Sequence, residues 1–241
     1  MSAGGLAFAL DLPDLGAAQE AAVEVGDAVD LLKVGLELFV LAGPAAVRVG
    51  EKTGRPVFLD LKLHDIPETV ERAVAQACGL GAKLLTVHAA GGPEMLERAV
   101  ARAAKEATGL TVVAVTVLTS FDEPDLLKTG VAGAVEEQVL RLARLGWSAG
   151  VRAFVCSPKE VARMRRELGR EAILVTPGIR PSEHGADDQK RVATAGQAIR
   201  DGASWLVVGR PIRDAKGQEG RRAAAQALQR EIADARSAQV G

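Results

Sequence analysis

The chain has 241 residues, 48% of them hydrophobic, and a formal net charge of −1. That length supports one large core or two small ones, and the near-neutral balance gives no global field for nucleic acid or an anionic membrane, so an anionic ligand has to be held by a local site. No apolar run approaches the roughly 20 residues that span a bilayer, and Met1-Ser2-Ala3-Gly4-Gly5 lacks the basic and apolar regions of a signal peptide.

Along the chain, short apolar runs alternate with longer Ala-rich amphipathic stretches. Strands are expected at 6–10, 31–34, 57–61, 84–88, 111–118, 153–156, 173–176 and 205–208. Helices are expected at 68–80, 94–107, 135–145, 158–168, 189–201 and 220–235. In the third of these, Val135, Val139, Leu142 and Leu145 recur at helical spacing. Strand–helix alternation implies a parallel sheet with right-handed crossovers. Eight units in this length predict an α/β fold of the closed (β/α)₈ TIM-barrel kind, forming one domain over 1–241, with a doubly wound open sheet as the structural alternative. Cys78 and Cys156 lie inside apolar segments and read as buried free thiols, which fits a cytoplasmic protein.

In such a barrel, function gathers where strands end. Polar residues fall at those ends: Asp11, Lys33, Asp60 with Lys62, His88, Thr119 with Ser120, Ser157, Gly178 with Arg180, and Gly209 with Arg210. The segment Asp60-Leu61-Lys62-Leu63-His64-Asp65-Ile66-Pro67 is the most informative. Side chains two apart on a strand share a face, so Asp60 and Lys62 point one way and Leu59, Leu61 and Leu63 the other. A carboxylate and an ammonium on an inward face are expensive unless they pair or do chemistry. Asp11, Lys33, Asp60 and Lys62 come from three consecutive strands, and their ends can converge. The carboxylates would keep the lysines protonated, and a protonated lysine in a dry pocket donates protons and stabilises developing negative charge. A structural salt-bridge network closing the barrel end is the plainer reading of the same cluster. Asp65 with Glu68 also fits a helix capping box, and His64 and His88 fit core or supporting positions. A metal site is poorly supported, because the histidines are scattered and each candidate carboxylate has a lysine beside it.

The segments Thr176-Pro177-Gly178-Ile179-Arg180 and Val207-Val208-Gly209-Arg210-Pro211 follow the last two strands, where barrels often hold phosphate. Glycine lets backbone N–H groups approach an anion, and arginine adds a fork of donors. The polar stretch 181–189 reads as a surface loop that folds over a bound ligand with Gln189 reaching the anion, or else as a plain connector.

Together these motifs, with Ala9-Leu10-Asp11, Leu32-Lys33-Val34-Gly35 and Val117-Leu118-Thr119-Ser120, resemble the orotidine 5′-phosphate decarboxylases of the bacterial type over essentially the whole length. The resemblance implies decarboxylation of orotidine 5′-phosphate to UMP and CO₂, the last step of de novo pyrimidine synthesis, without metal or organic cofactor. It implies that Lys62 donates the proton to C6, and that Asp60 and Lys33 complete the charged array. Asp65, with Thr69 from the same segment, would enter the neighbouring site of a homodimer. Asp11 and Lys33 would contact the ribose, and Thr119 and Ser120 the pyrimidine. Arg180, Gln189, Gly209 and Arg210 would bind the phosphate, and Ile66 and Pro177 also fall among the substrate-contacting positions. The partners implied are the small-molecule substrate and a second copy of the chain, with no nucleic acid and no membrane. Two rivals stand beside this reading. Sugar-phosphate enzymes resembling 3-keto-gulonate 6-phosphate decarboxylase or hexulose-phosphate synthase share Asp-x-Lys-x-x-Asp but need Mg²⁺ and carry an acidic ligand where this chain has Lys33. A catalytically dead barrel that binds nucleotides is the other, and a pure binder has no reason to keep paired buried charges.

Overall fold

Eight strands, β1 (Gly5–Ala9), β2 (Leu31–Val34), β3 (Val57–Leu63), β4 (Ala82–His88), β5 (Thr111–Val115), β6 (Ala153–Val155), β7 (Ile173–Thr176) and β8 (Trp205–Val208), pair in parallel in chain order, and β8 closes back onto β1. The computed structural model describes residues 4–180, 192–216 and 220–238. Between the strands run amphipathic helices, among them Pro67–Gly79, Pro93–Glu106, Val135–Ser148 and Pro158–Leu168, with Gly220–Ser237 at the end of the chain. This is the closed (β/α)₈ barrel that the alternation predicts.

The period of two along each strand sorts the core into two shells. On β1, Leu6 and Phe8 pack outward against the helices, as does Leu10 just beyond it, while Ala7 and Ala9 face the barrel interior. Phe58, Leu84, Val113, Val175 and Trp205 help fill that interior, so the barrel is a packed core.

Three local expectations change. Strand β5 ends at Val115, not 118: the Thr116 hydroxyl donates to the Val155 carbonyl at 3.1 Å, and Val117 and Leu118 turn toward the barrel mouth. The helix expected over 189–201 is Ala195–Arg200 in the described residues, because Thr194 caps it by accepting the Gln197 N–H at 3.2 Å; 189–191 lie outside them. The helix Leu15–Val25, absent from the sequence reading, starts where Asp14 accepts the Ala17 N–H at 2.8 Å. Cys78 and Cys156 are buried and in no disulfide, as expected.

Candidate active site

Strand β3 is regular through Leu59 and then departs from a simple ladder. Leu59 pairs with Leu85 and Leu63 with Val87, so three residues of β3 stand opposite Thr86 alone. Lys62 takes up this slack with φ +51°, a left-handed conformation that costs a non-glycine residue about 1 kcal/mol. Even so, the facing inferred from the sequence holds: Asp60 and Lys62 line the cavity, and Leu61 and Leu63 pack toward the outer core.

Four charged groups alternate in sign across the mouths of β1, β2 and β3. Lys33 Nζ lies 3.0 Å from Asp11 Oδ1 and 3.9 Å from Asp60 Oδ2, and Lys62 Nζ donates to the same Asp60 oxygen at 2.8 Å. Their formal charges cancel. Burial, the largest single influence on Asp60, pushes its carboxyl up, but the charges of Lys33 and Lys62 and hydrogen bonds from Lys62 and Thr86 outweigh it and hold it below the usual carboxylate range. Asp60 is therefore ionised at neutral pH. Gly35 belongs to this arrangement: a Cβ there would stand 3.0 Å from Lys33 Nζ and 3.2 Å from Asp11 Oδ1.

A cavity of about 190 Å³ opens beside these groups at the C-terminal ends of the strands. The quartet forms one wall, Phe58, Val115, Val117 and Val155 form an apolar one, and Thr119 and Pro177 also line it. A second cavity, about 360 Å³, shares Asp11 and Val207 with the first. It gathers Gly178, Gly209 and three arginines, Arg180, Arg210 and Arg213. Gly178 has φ +81°, a conformation glycine adopts without strain. The Arg180 guanidinium is buried and donates to the Ile179 carbonyl at 2.9 Å. The two cavities together make one trough, neutral and paired at one end and cation-rich at the other.

Other candidates fall outside the trough walls. Ser120 is exposed just after Thr119. Asp65, Ile66 and Thr69 are exposed and do not line this subunit's cavity. The capping box suggested by Asp65 and Glu68 does not form. The helix Pro67–Gly79 has Ile66 at its cap position with no side-chain cap, Asp65 accepts the Ile66 N–H at 2.7 Å, and Glu68 pairs with Arg72. Among the described residues Asp65 has no ion-pair partner. Ser157 is buried at the start of the helix Pro158–Leu168, where its N–H donates to Glu160 at 2.7 Å, so it does not contribute to a polar mouth. His88 stacks obliquely on His64 at 5.4 Å between ring centroids; burial first, then His64 and Lys62, hold it below the ordinary imidazole value and hence neutral. Gln189 lies outside the described residues. Among those residues, no group of three or more His, Cys, Asp or Glu side chains is placed to hold a metal ion.

Two polar residues of this region escaped the sequence reading. Thr86, fully buried on β4, donates to Asp60 Oδ1 at 2.9 Å and accepts the Lys62 N–H at 2.8 Å. Arg213 reaches the polar cavity and donates to the Asp11 carbonyl at 3.3 Å while gripping Asp214. A lone threonine within an apolar strand carries no signal. Arg213, three residues after Arg210, was findable as the next cation one turn along a helix.

The model of the orotidine 5′-phosphate decarboxylase / HUMPS family matches residues 5–227. The orotidine 5′-phosphate decarboxylase of Anaeromyxobacter sp. (strain K) is 56% identical over 207 residues, covering 86% of this chain and 90% of that protein. The protein of the same name from Geobacter sulfurreducens is 46% identical over 216 residues, covering 88% and 90%. The crystal structure of orotidine 5′-phosphate decarboxylase from Lactobacillus acidophilus superposes with a TM-score of 0.82 at 34% identity, covering 95% of this chain and 99% of that one.

Proposed function

We propose roles for the residues of this site from one premise: the chain belongs to the orotidine 5′-phosphate decarboxylase / HUMPS family. It decarboxylates orotidine 5′-phosphate to UMP and CO₂, the last step of de novo pyrimidine synthesis. The observation that supports the residue roles is the sign-alternating quartet walled into the same trough as three arginines.

Loss of CO₂ leaves an electron pair in the ring plane at C6, where the π system cannot delocalise it. A fixed cation must stabilise that pair. Lys62, held by Asp60, is the ammonium assigned to this task, and it then protonates C6. Asp60 and Lys33 keep the array charged and oriented, and Asp11 with Lys33 contacts the ribose. Thr119, Ser120 and Pro177 face the pyrimidine. Arg180, Gly209, Arg210 and Gln189 take the phosphate. Enzymes lower barriers by roughly 8–23 kcal/mol, and one ammonium supplies only part of that, so binding energy from the distant phosphate must help order the site. No divalent ion takes part in this scheme, since each carboxylate of the quartet already faces an ammonium that would repel one. The test is loss of orotidylate absorbance on mixing. Turnover undiminished by EDTA supports the scheme, and loss of turnover on chelation overturns its metal-free chemistry.

The working unit in this reading is a homodimer, each subunit being one barrel domain. Asp65 and Thr69 are exposed and line neither cavity of their own subunit's trough. Leu36, Val40, Ile66 and Leu127 are exposed apolar side chains in segments that follow β2, β3 and β5, suited to contact with a second copy. Mixing Asp65→Ala with Lys62→Ala subunits tests the exchange. Random pairing makes half the dimers mixed, each with one intact site, so about a quarter of full activity returns. No recovery on mixing would place Asp65 outside the partner's site. No helix among the described residues is long and apolar enough to cross a membrane. We assign the protein to the cytoplasm, in keeping with two buried cysteines that form no disulfide.

A further inference from the structure

We infer that Thr86 is a positioning residue, a bracket on β4 that fixes both the Asp60 carboxylate and the Lys62 backbone. The inference rests on the roles given above to Asp60 and Lys62. A hydroxyl has one proton to give. The Lys62 N–H occupies an acceptor site on Thr86 Oγ1 at 2.8 Å, and the proton goes to Asp60 Oδ1 at 2.9 Å, so the bracket has a defined direction. One oxygen of Asp60 is thereby committed to Thr86. The other, Oδ2, is turned toward Lys62 Nζ at 2.8 Å and Lys33 Nζ at 3.9 Å.

The second half of the bracket concerns the backbone. Three β3 residues stand opposite Thr86 alone, so no regular ladder partner is available to the Lys62 N–H. A side-chain hydroxyl takes its place and holds Lys62 at φ +51°. Strained backbone at a working site persists only where its surroundings over-determine it. Thr86 has no exposed surface, and among the described residues its hydroxyl bonds only to these two residues, so the hydroxyl is committed to the site. It does not line the cavity, and so acts through Asp60 and Lys62 without touching substrate.

Thr86→Val keeps the branched shape and removes the hydroxyl; Thr86→Ser keeps the hydroxyl. In the purified full chain, Thr86→Val lowers kcat by about tenfold to a hundredfold, the scale of a small misplacement of reacting groups, with a much smaller change in KM. Loss of a donor to the carboxylate also raises the Asp60 titration toward its ordinary value, so the acid limb of kcat/KM moves to higher pH. Thr86→Ser restores both. If Thr86→Val does not fold, Thr86→Ala carries the same comparison. Wild-type kcat and pH profile in the hydroxyl-free variant, or equal losses in the valine and serine variants, would overturn the bracket. Lys62→Ala run in parallel separates the two levels: turnover surviving that change defeats the roles of Asp60 and Lys62 themselves, whereas its loss beside a fully active Thr86→Val defeats only Thr86.

Discussion

The two ends of the trough solve different electrostatic problems. At the β1–β3 end, two acids and two bases are paired within 2.8 to 3.9 Å and their charges cancel, so the group is organised before any ligand arrives. At the β7–β8 end, Arg180, Arg210 and Arg213 share a cavity in which, among the described residues, the only acidic wall residue is Asp11. The first end is built to act on a charge that develops during a reaction, where fixed dipoles and ions need no reorganisation. The second is built to capture a charge that is already there. A neutral, self-satisfied cluster makes a poor anion trap, and a cation-rich one would pay heavily in self-repulsion if it were as dry and tightly packed as the first.

The largest effect that sharpens this contrast is expected at Lys62. Lys62→Ala should lower kcat by about 10⁴-fold or more, the scale of losing a reacting group, in a protein whose circular dichroism and melting remain near wild type. Substantial remaining turnover would move the proton donor elsewhere. Arg210→Ala comes next. It should reduce kcat/KM for orotidine 5′-phosphate by about 30-fold to 1,000-fold, the cost of removing one partner of a charged pair, yet barely change the reaction of the unphosphorylated nucleoside. Equal losses on both substrates would break the division between the two ends. Gly35→Ala should be smaller, about tenfold to a hundredfold in kcat, because the new methyl presses on Lys33 and Asp11 without deleting either. Its signature is a kcat defect seen with phosphorylated and bare substrates alike; a loss confined to the phosphorylated substrate would mean that the quartet also serves the phosphate end.

Much of this site was open to reading along the chain, but unevenly. Asp60 and Lys62 announce themselves because charges within an apolar strand are rare and two apart means one face. Gly209 and Arg210 are legible from their place after the last strand. Ser157 misleads: a serine before a proline at a strand end serves as well to begin a helix, and here it does so through Glu160. The segment after β3 suggests a capping box by its letters, yet the bond that would close the box is made by Asp65 to the adjacent Ile66 N–H. Thr116 ends β5 early by bonding across to β6, a decision made by a strand about forty residues away.

By itself the sequence determined the alternation of elements and the charges at the strand ends, and pointed to a closed barrel over an open sheet, because periodicity is a property of neighbours in the chain. Tertiary structure alone decided which of those charges meet, that the barrel closes, that Lys62 takes a left-handed backbone conformation, and that Thr86 joins it to Asp60. Those choices depend on the register between β3 and β4, and register is set by how whole strands pack, which no single stretch of residues contains.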